Sequence, residues 1–381
     1  MILRWFLSKT VRQATAMRKH VWRLLMAQRD ILTPQAIEAL VSATQNLQNA
    51  LAAKTAKSAL QKEMENLEKA ANKWLKPYPH PAWRENVEVL LVALAVAMGI
   101  RTFFVQPFKI PTGSMQPTLY GVTSENLIHR PDFKIPTGLA RAREWLQGAS
   151  YIHVVAKTDG NLEKIEPPLR LLIFNVWQRV LLGGKWHTVW FPPDYGSGSL
   201  DARAGVYPGQ QFRKGQDVIR LRVNCGDHLF VDRLTYNFRR PQRAEIIVFE
   251  TKGINHPSVP QDQFYIKRMV ALGTERVRIG KDHHLIINGT RLDAATPGFE
   301  NVYTFREDAG ENEYFGHTQV EKFYNEDQEF QLRPNHLMVM GDNTRNSLDS
   351  RFFGDFSREF VIGKSWFVYW PITKRFGCGY R

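Results

Sequence analysis

Cysteine is nearly missing from this sequence: Cys225 and Cys378 are the only two among 381 residues. Their spacing matches no zinc pattern and no C-x-x-C occurs, so a structural zinc module is excluded. Spacing cannot decide whether the two thiols pair, and the compartment has to be read from topology instead. No exact internal repeat is present. Long apolar runs are equally scarce at the start of the chain. Ile2, Leu3, Trp5, Phe6 and Leu7 are interrupted by Arg4, Lys9, Arg12, Arg18, Lys19 and Arg23, so no signal-peptide core forms there. Glycine is absent from Thr33 to Trp74, which removes the commonest helix stop over that whole stretch.

What the chain does have is positive charge. The formal net charge is +14 and the pI is about 9.7, a balance that suits an anionic partner, either nucleic acid or an acidic membrane leaflet. The first thirty residues read as a basic amphipathic helix, lying on a membrane or packed against a partner. Thr33-Pro34 supplies a capping hydroxyl and a first-turn proline, and predicts long helix, or a helical hairpin, as far as Trp74. Lys76-Pro77-Tyr78-Pro79-His80-Pro81 then ends it.

Val89 to Ile100 is the most hydrophobic stretch and carries no charge. Taken as Val87 to Val105 it is about 28 Å long as a helix, close to a bilayer core. A buried soluble helix satisfies the same pattern. If it spans, the lysines and arginines before it (Lys54, Lys57, Lys62, Lys69, Lys73, Lys76, Arg84) keep that side cytoplasmic and place the long C-terminal part outside.

Beyond Ser114 the pattern changes to short segments rich in β-branched and aromatic residues: HLFVDRL, EIIVFE, FYIKRMV, RVRIG, HLIING, HLMVM and KSWFVYW. Without intervening helices these predict a mainly β fold, an antiparallel barrel-like domain. The stretch 121–224, with LRLLIFNVWQRVLL, Gly183-Gly184 and KWHTVWF, reads as an inserted β module whose aromatics are exposed or core.

Three segments carry groups capable of chemistry. In IPTGSMQPTL, Ile110 to Leu119, glycine and flanking prolines set Ser114 on a rigid turn, although serine in such company is usually only a turn residue. In FYIKRMV, strand alternation points Tyr265, Lys267 and Met269 one way and Phe264, Ile266, Arg268 and Val270 the other. Burial of Lys267 would lower its pKa, as a neutral amine base requires, whereas most strand lysines stay charged in water. GDNTRNSLDSRFFG, Gly341 to Gly354, is a polar loop in which Asp349 and Arg351 can pair; the spacing and closing glutamate of an EF-hand are missing.

Together these segments resemble the ordered boxes of bacterial type I signal peptidases, with GDHLFVDRLTYNFRRPQRAEIIVF and YIKRMVAL completing the series behind a membrane anchor. The resemblance covers about half of the chain and leaves residues before about 80 and the insert unexplained. It implies that Ser114 is the nucleophile and Lys267 the general base of a serine endopeptidase. Thr112 would complete the oxyanion hole and Ser347 would orient the lysine. Arg268, Asp349 and Arg351 would hold the site together; Ile110, Pro111, Met115 and Ile266 would line pockets for small residues. No metal and no cofactor is expected. The implied substrates are preproteins cut after A-x-A-like sites, and the implied partner surface is a phospholipid membrane; a secretion translocon is left open and nucleic acid is not expected.

The corresponding organisation is a basic helical region at 1–80 on the cytoplasmic side, a single-pass anchor at 81–108 in a bacterial inner membrane, a catalytic β domain at 109–120 and 225–381 outside, and the insert at 121–224. Two departures from the family pattern stand out. Ala271-Leu272-Gly273-Thr274-Glu275 replaces a glycine-leucine-proline-glycine-aspartate turn, and Thr344 stands where arginine is common. A Ser–Lys peptidase dedicated to one specialised partner, or a membrane scaffold without activity, would share much of this pattern.

Overall fold

The computed structural model describes residues 8–53, 55–77, 81–172, 174–304 and 315–378. The chain divides into two compact units, Met1–Ala93 and Leu94–Arg381.

In the first unit three helices bury one stripe each. In α1 (Lys9–Gln28) the buried residues Val11, Ala14, Val21 and Leu25 recur at helical spacing. They meet Leu40, Leu47 and Leu51 of α2 (Pro34–Ala52) and Leu60 and Leu67 of α3 (Lys57–Trp74). Thr33 caps α2 as its sequence suggests, its hydroxyl accepting from the Ala36 N–H at 3.3 Å. The expected hairpin is therefore α2–α3, and the partner of the basic helix lies within its own chain. Gln28 closes the bundle across 48 residues: its amide donates to Lys76 O at 2.8 Å and accepts from Lys76 N at 3.0 Å. Residues 1–7, the start of the expected amphipathic helix, lie outside the described residues.

Helix α4 (Pro81–Phe103) buries nothing along its apolar length; Val89, Leu90, Leu91, Val92, Leu94 and Val96 are all exposed. Its Trp83–Phe103 portion has 21 residues and a mean hydropathy of 1.7, enough for about 30 Å of bilayer. The helix stops at Phe103, short of the expected limit at 108. Pro107 cannot continue it, and Val105–Lys109 instead becomes the edge strand β1 of the main sheet.

Six further strands complete that sheet: β2 (His228–Asp232), β3 (Ile246–Glu250), β4 (Phe264–Leu272), β5 (His336–Met340), β6 (Phe356–Ser357) and β7 (Val361–Trp370). All pairings are antiparallel, in the order β1-β2-β7-β3-β4-β5-β6. Alternation gives each face its own core. Ile246 and Val248 pack with Ile110, Met115, Leu119, Leu229 and Val231. Ile247 and Phe249 pack with Met269, Leu337, Val339 and Phe356 on the other face. A four-stranded sheet from Arg276–Ile279, Leu285–Ile287, Thr290–Arg291 and Phe330–Gln331 shares a core with Val270, Ala271, Met338 and Met340 of β4 and β5.

The fold is mainly β, as its patterning predicts. Between β1 and β2 two smaller sheets enclose their own core, which includes Val154, Leu162, Val180, Leu182, Ile219 and Leu221. Trp190 and Phe191 stay exposed there. Lys109, the last residue of β1, pairs with Asp194 of this insert at 2.6 Å.

Candidate active site

Ser114 sits on a turn directly after β1. Met115 and Leu119 plug into the core beneath it, and Gln116 N donates to Gly113 O at 3.1 Å. The polar loop after β5 clamps this turn from the other side. Asn343 donates from its backbone to Ser114 O at 3.1 Å and from its side chain to Gly113 O at 3.0 Å. Gly341 is required where the two segments touch: a Cβ there would lie 2.4 Å from Ser114 O and 2.2 Å from Ser347 Oγ.

Lys267 approaches from β4, the strand flanked on both sides by β3 and β5, with Ile247 opposite it in register. Its Nζ donates to Ser114 Oγ at 2.8 Å and to Ile266 O at 3.1 Å. Both Ser114 and Lys267 are only 5% exposed. Burial disfavours the ammonium and is the main reason the lysine pKa falls to about 8; Asp349 pulls it upward and Arg351 downward. Tyr265, on the same strand face, places its ring 5.3 Å from Nζ.

The next residue points the other way, as strand alternation requires. Arg268 donates from Nε to Asp342 Oδ1 at 2.8 Å and from Nη2 to Asp342 Oδ2 at 2.6 Å. Thr118, on the Ser114 turn, adds its hydroxyl to the same carboxylate at 2.5 Å. The second pair joins Arg351 and Asp349, at 2.9 Å from Nε to Oδ1 and 3.0 Å from Nη2 to Oδ2. Burial pushes the Asp349 carboxyl upward, but the Arg351 charge and donors from Arg351, Gly341 N and Ser347 outweigh it and hold it below the usual range. Thr344 fills the place expected for an arginine with a hydroxyl that accepts from Arg351 Nη1 at 2.9 Å. In the altered turn after β4, Glu275 accepts from Leu272 N at 2.8 Å and pairs with Arg243.

A cleft of about 500 Å³ opens beside the dyad, lined by Pro111, Thr112, Phe264, Ile266, Ser347 and Phe352 among others. Thr112 is exposed to it. The structure thus brings Ser114, Lys267, Thr112, Ser347, Pro111 and Ile266 to one place. Ile110 and Met115, expected to line pockets, are 2% and 0% exposed and pack into the core beneath the turn. The reason is the turn itself, which directs those two side chains inward to anchor it. The hydroxyl of Ser347 donates to Asp349 Oδ2 at 2.7 Å rather than reaching the lysine. Asp342, Asn343 and Thr118 lie in the segments singled out from the sequence, which gave them no individual role. A Gly-Asp-Asn triplet directly after a buried strand was the available signal.

The buried Ser–Lys pair, carried by an interior strand of the antiparallel sheet and the turn beside it, opens to a cleft, and the chain that holds it is similar to known proteins. The family model described as signal peptidase, peptidase S26, matches residues 83–130 and 220–370, and passes over most of the insert. A probable signal peptidase I-2 of Synechocystis sp. is 29% identical over 158 residues, covering 40% of this chain and 59% of its own. Signal peptidase I of Pseudomonas aeruginosa is 28% identical over 182 residues, covering 40% and 62%. The chain thus spans about three fifths of the length of these relatives. A signal peptidase I structure from Enterococcus faecalis shares 28% identity and covers 33% of this chain and 97% of its own, with a TM-score of 0.23, too low to bear on the fold. With more than half of its residues matched, on both sides of the insert, the chain belongs to the signal peptidase family, peptidase S26.

Proposed function

We propose that this chain is a membrane-anchored serine endopeptidase that removes signal peptides from exported preproteins, with Ser114 as nucleophile and Lys267 as general base. The single observation that carries this reading is the 2.8 Å contact between a buried lysine amine and a serine hydroxyl at the side of a cleft.

The chemistry needs a neutral amine. Once Lys267 has lost its proton, the hydrogen bond can reverse: Ser114 Oγ donates to Nζ and then attacks the scissile carbonyl. The Thr112 hydroxyl and the Ser114 backbone N–H serve the developing oxyanion. The ammonium then passes its proton to the leaving amine, and water activated by the same lysine releases the acyl group. Ser347, Asp349 and Arg351 act as positioning residues, since Asp349 holds the Ser347 hydroxyl beside the dyad. Arg268 fixes the turn of Ser114 through Asp342 and Thr118.

Pro111 and Ile266 give the cleft an apolar lining suited to small side chains, hence sites of the A-x-A kind. Ser114 follows Phe103 by eleven residues, so the nucleophile works within about 36 Å of the end of α4. The basic segment before α4 keeps the N-terminal side cytoplasmic and the catalytic sheet outside the bacterial inner membrane. Preproteins and the bilayer are the partners of this reading.

The test is cleavage of a preprotein with an A-x-A site by the full chain reconstituted in lipid, beside Ser114→Ala. Cleavage after the final alanine, lost in the variant, supports the proposal. No cleavage by the folded, reconstituted wild type overturns it.

A further inference from the structure

One loop of the insert, residues 194–196, reaches back to the strip 110–112 that runs from β1 to the Ser114 turn. At the head of that strip Lys109 Nζ meets Asp194 Oδ2 at 2.6 Å. The other oxygen of the same carboxylate accepts from Gly196 N at 2.8 Å, so Asp194 shapes its own loop while it holds the strip. Burial pushes the Asp194 carboxyl up, but Lys109 and the Gly196 N–H outweigh it and hold it below its usual range. Gly196 then lays bare backbone against the strip. Its φ is +67°, and a Cβ there would lie 2.6 Å from Pro111 O.

The loop is rooted in the insert's own core. Tyr195 is buried there, and its hydroxyl donates to Gln178 Oε1 at 2.8 Å. Arg203 donates from Nε to Tyr195 O at 2.7 Å and from Nη1 to Ser124 Oγ at 3.1 Å. The strip, by contrast, has few bonds of its own. Ile110 N donates to Asp227 O at 2.9 Å, and Val122 N reaches Pro111 O only at 3.4 Å. Pro111 has no N–H to offer a neighbouring strand. A firmly held loop therefore presses on a sparsely bonded strip, and Pro111 and Thr112 of that strip line the cleft beside Ser114.

We propose that the insert sets the selectivity of the cleft, with Asp194, Gly196 and Lys109 as positioning residues that hold Pro111 and Thr112 where a small side chain is admitted and a larger one refused. The inference rests on the peptidase reading and gives the insert a part in it. None of the three residues touches the reacting atoms. The Lys109–Asp194 pair is partly exposed, and such pairs add little to global stability. Its loss is felt in the shape of the cleft, because the strip it steadies has so little else to hold it.

The test uses the full chain reconstituted in lipid and two preproteins that differ only in the residue before the cut, alanine or valine. The quantity read is the ratio of their kcat/KM values, which does not depend on how much of each variant is folded. One methylene in an apolar pocket is worth about 10–200-fold in such a ratio, so a loosened wall has room to show. Lys109→Met, which removes the ion pair, and Gly196→Ala, which pushes on Pro111 O, are each expected to lower the alanine preference on the order of fivefold or more. Lys109→Arg keeps the charge and should stay near the wild-type ratio. A fall in activity that is equal on both substrates, with the ratio unchanged, would show a merely structural contact and overturn the inference. A ratio lost as fully in Lys109→Arg as in Lys109→Met would remove the ion pair from the role. A wild type that cleaves neither preprotein would instead overturn the peptidase reading, and this inference with it.

Discussion

Arg268 and Asp342 meet edge to edge in a space closed to solvent, one guanidinium nitrogen to each carboxylate oxygen, one residue along the strand from Lys267. The pair ties β4 to the loop that clamps Ser114, and Thr118 of the serine turn shares its carboxylate. Removing one partner leaves the other charged and buried. We expect Arg268→Ala or Asp342→Ala to lower stability by about 3–5 kcal/mol. The double variant should lose less than the sum of the two, which urea unfolding in detergent would measure. Strict additivity would mean the two charges do not depend on each other.

Lys267→Arg should abolish cleavage, because a guanidinium stays protonated and cannot serve as base. A loss of at least about 10²–10⁴-fold in kcat/KM on a preprotein is the expected scale for general acid–base work. Near-normal turnover would remove Lys267 from the role assigned above.

The same lysine sets a pH profile. Below its pKa of about 8, the neutral amine falls roughly tenfold for each pH step, so kcat/KM should rise with that slope and level off above about pH 8. Stability carries the matching sign. The folded-state pKa lies below the ordinary 10.5, so between about pH 8 and 10.5 the unfolded chain binds more protons and stability increases with pH. At neutral pH the charged, buried amine is a net burden of up to about 3 kcal/mol. Lys267→Met should therefore unfold at a higher temperature than wild type at pH 7, with the gap closing towards pH 10. A gap that does not change with pH would mean the lysine is not buried as a cation.

Much of this was readable from alternation. In FYIKRMV a period of two is enough to separate Lys267 from Arg268 and to give the lysine Tyr265 and Met269 as face-mates. The identity of Arg268's partner was not readable, because an aspartate in a loop of small polar residues has no local mark until the strand pairing brings it near. Helix α4 ends earlier than the apolar run suggests for a related reason: Phe103, Phe104 and Val105 continue the run, and only pairing with Asp232 makes Val105 a strand residue. The burial of Ile110 and Met115 was not readable, because a turn's inward and outward positions follow no fixed period. The helical bundle was half legible. Val11, Ala14, Val21 and Leu25 mark a buried stripe on α1, but sequence does not say what lies against it.

Gly341→Ala should damage activity more than its size suggests. The added methyl would displace Ser114 or Ser347, and a shift of about 1 Å at a reacting group can reduce turnover about 10²-fold. We expect kcat to fall with little change in KM, measured on the reconstituted enzyme. A normal kcat would show that the two segments can move apart without consequence.

Ser114 and Lys267 lie 153 residues apart in sequence, on opposite sides of the whole insert. A chain emerging during synthesis therefore has no working pair until β4 has found its place in the sheet. A slip of one residue in that strand would turn Arg268 into the base position and leave the site inert. The pairing register thus works as an interlock: on the proposed reading, an incomplete or misassembled copy has no serine–lysine pair with which to cut a neighbouring chain.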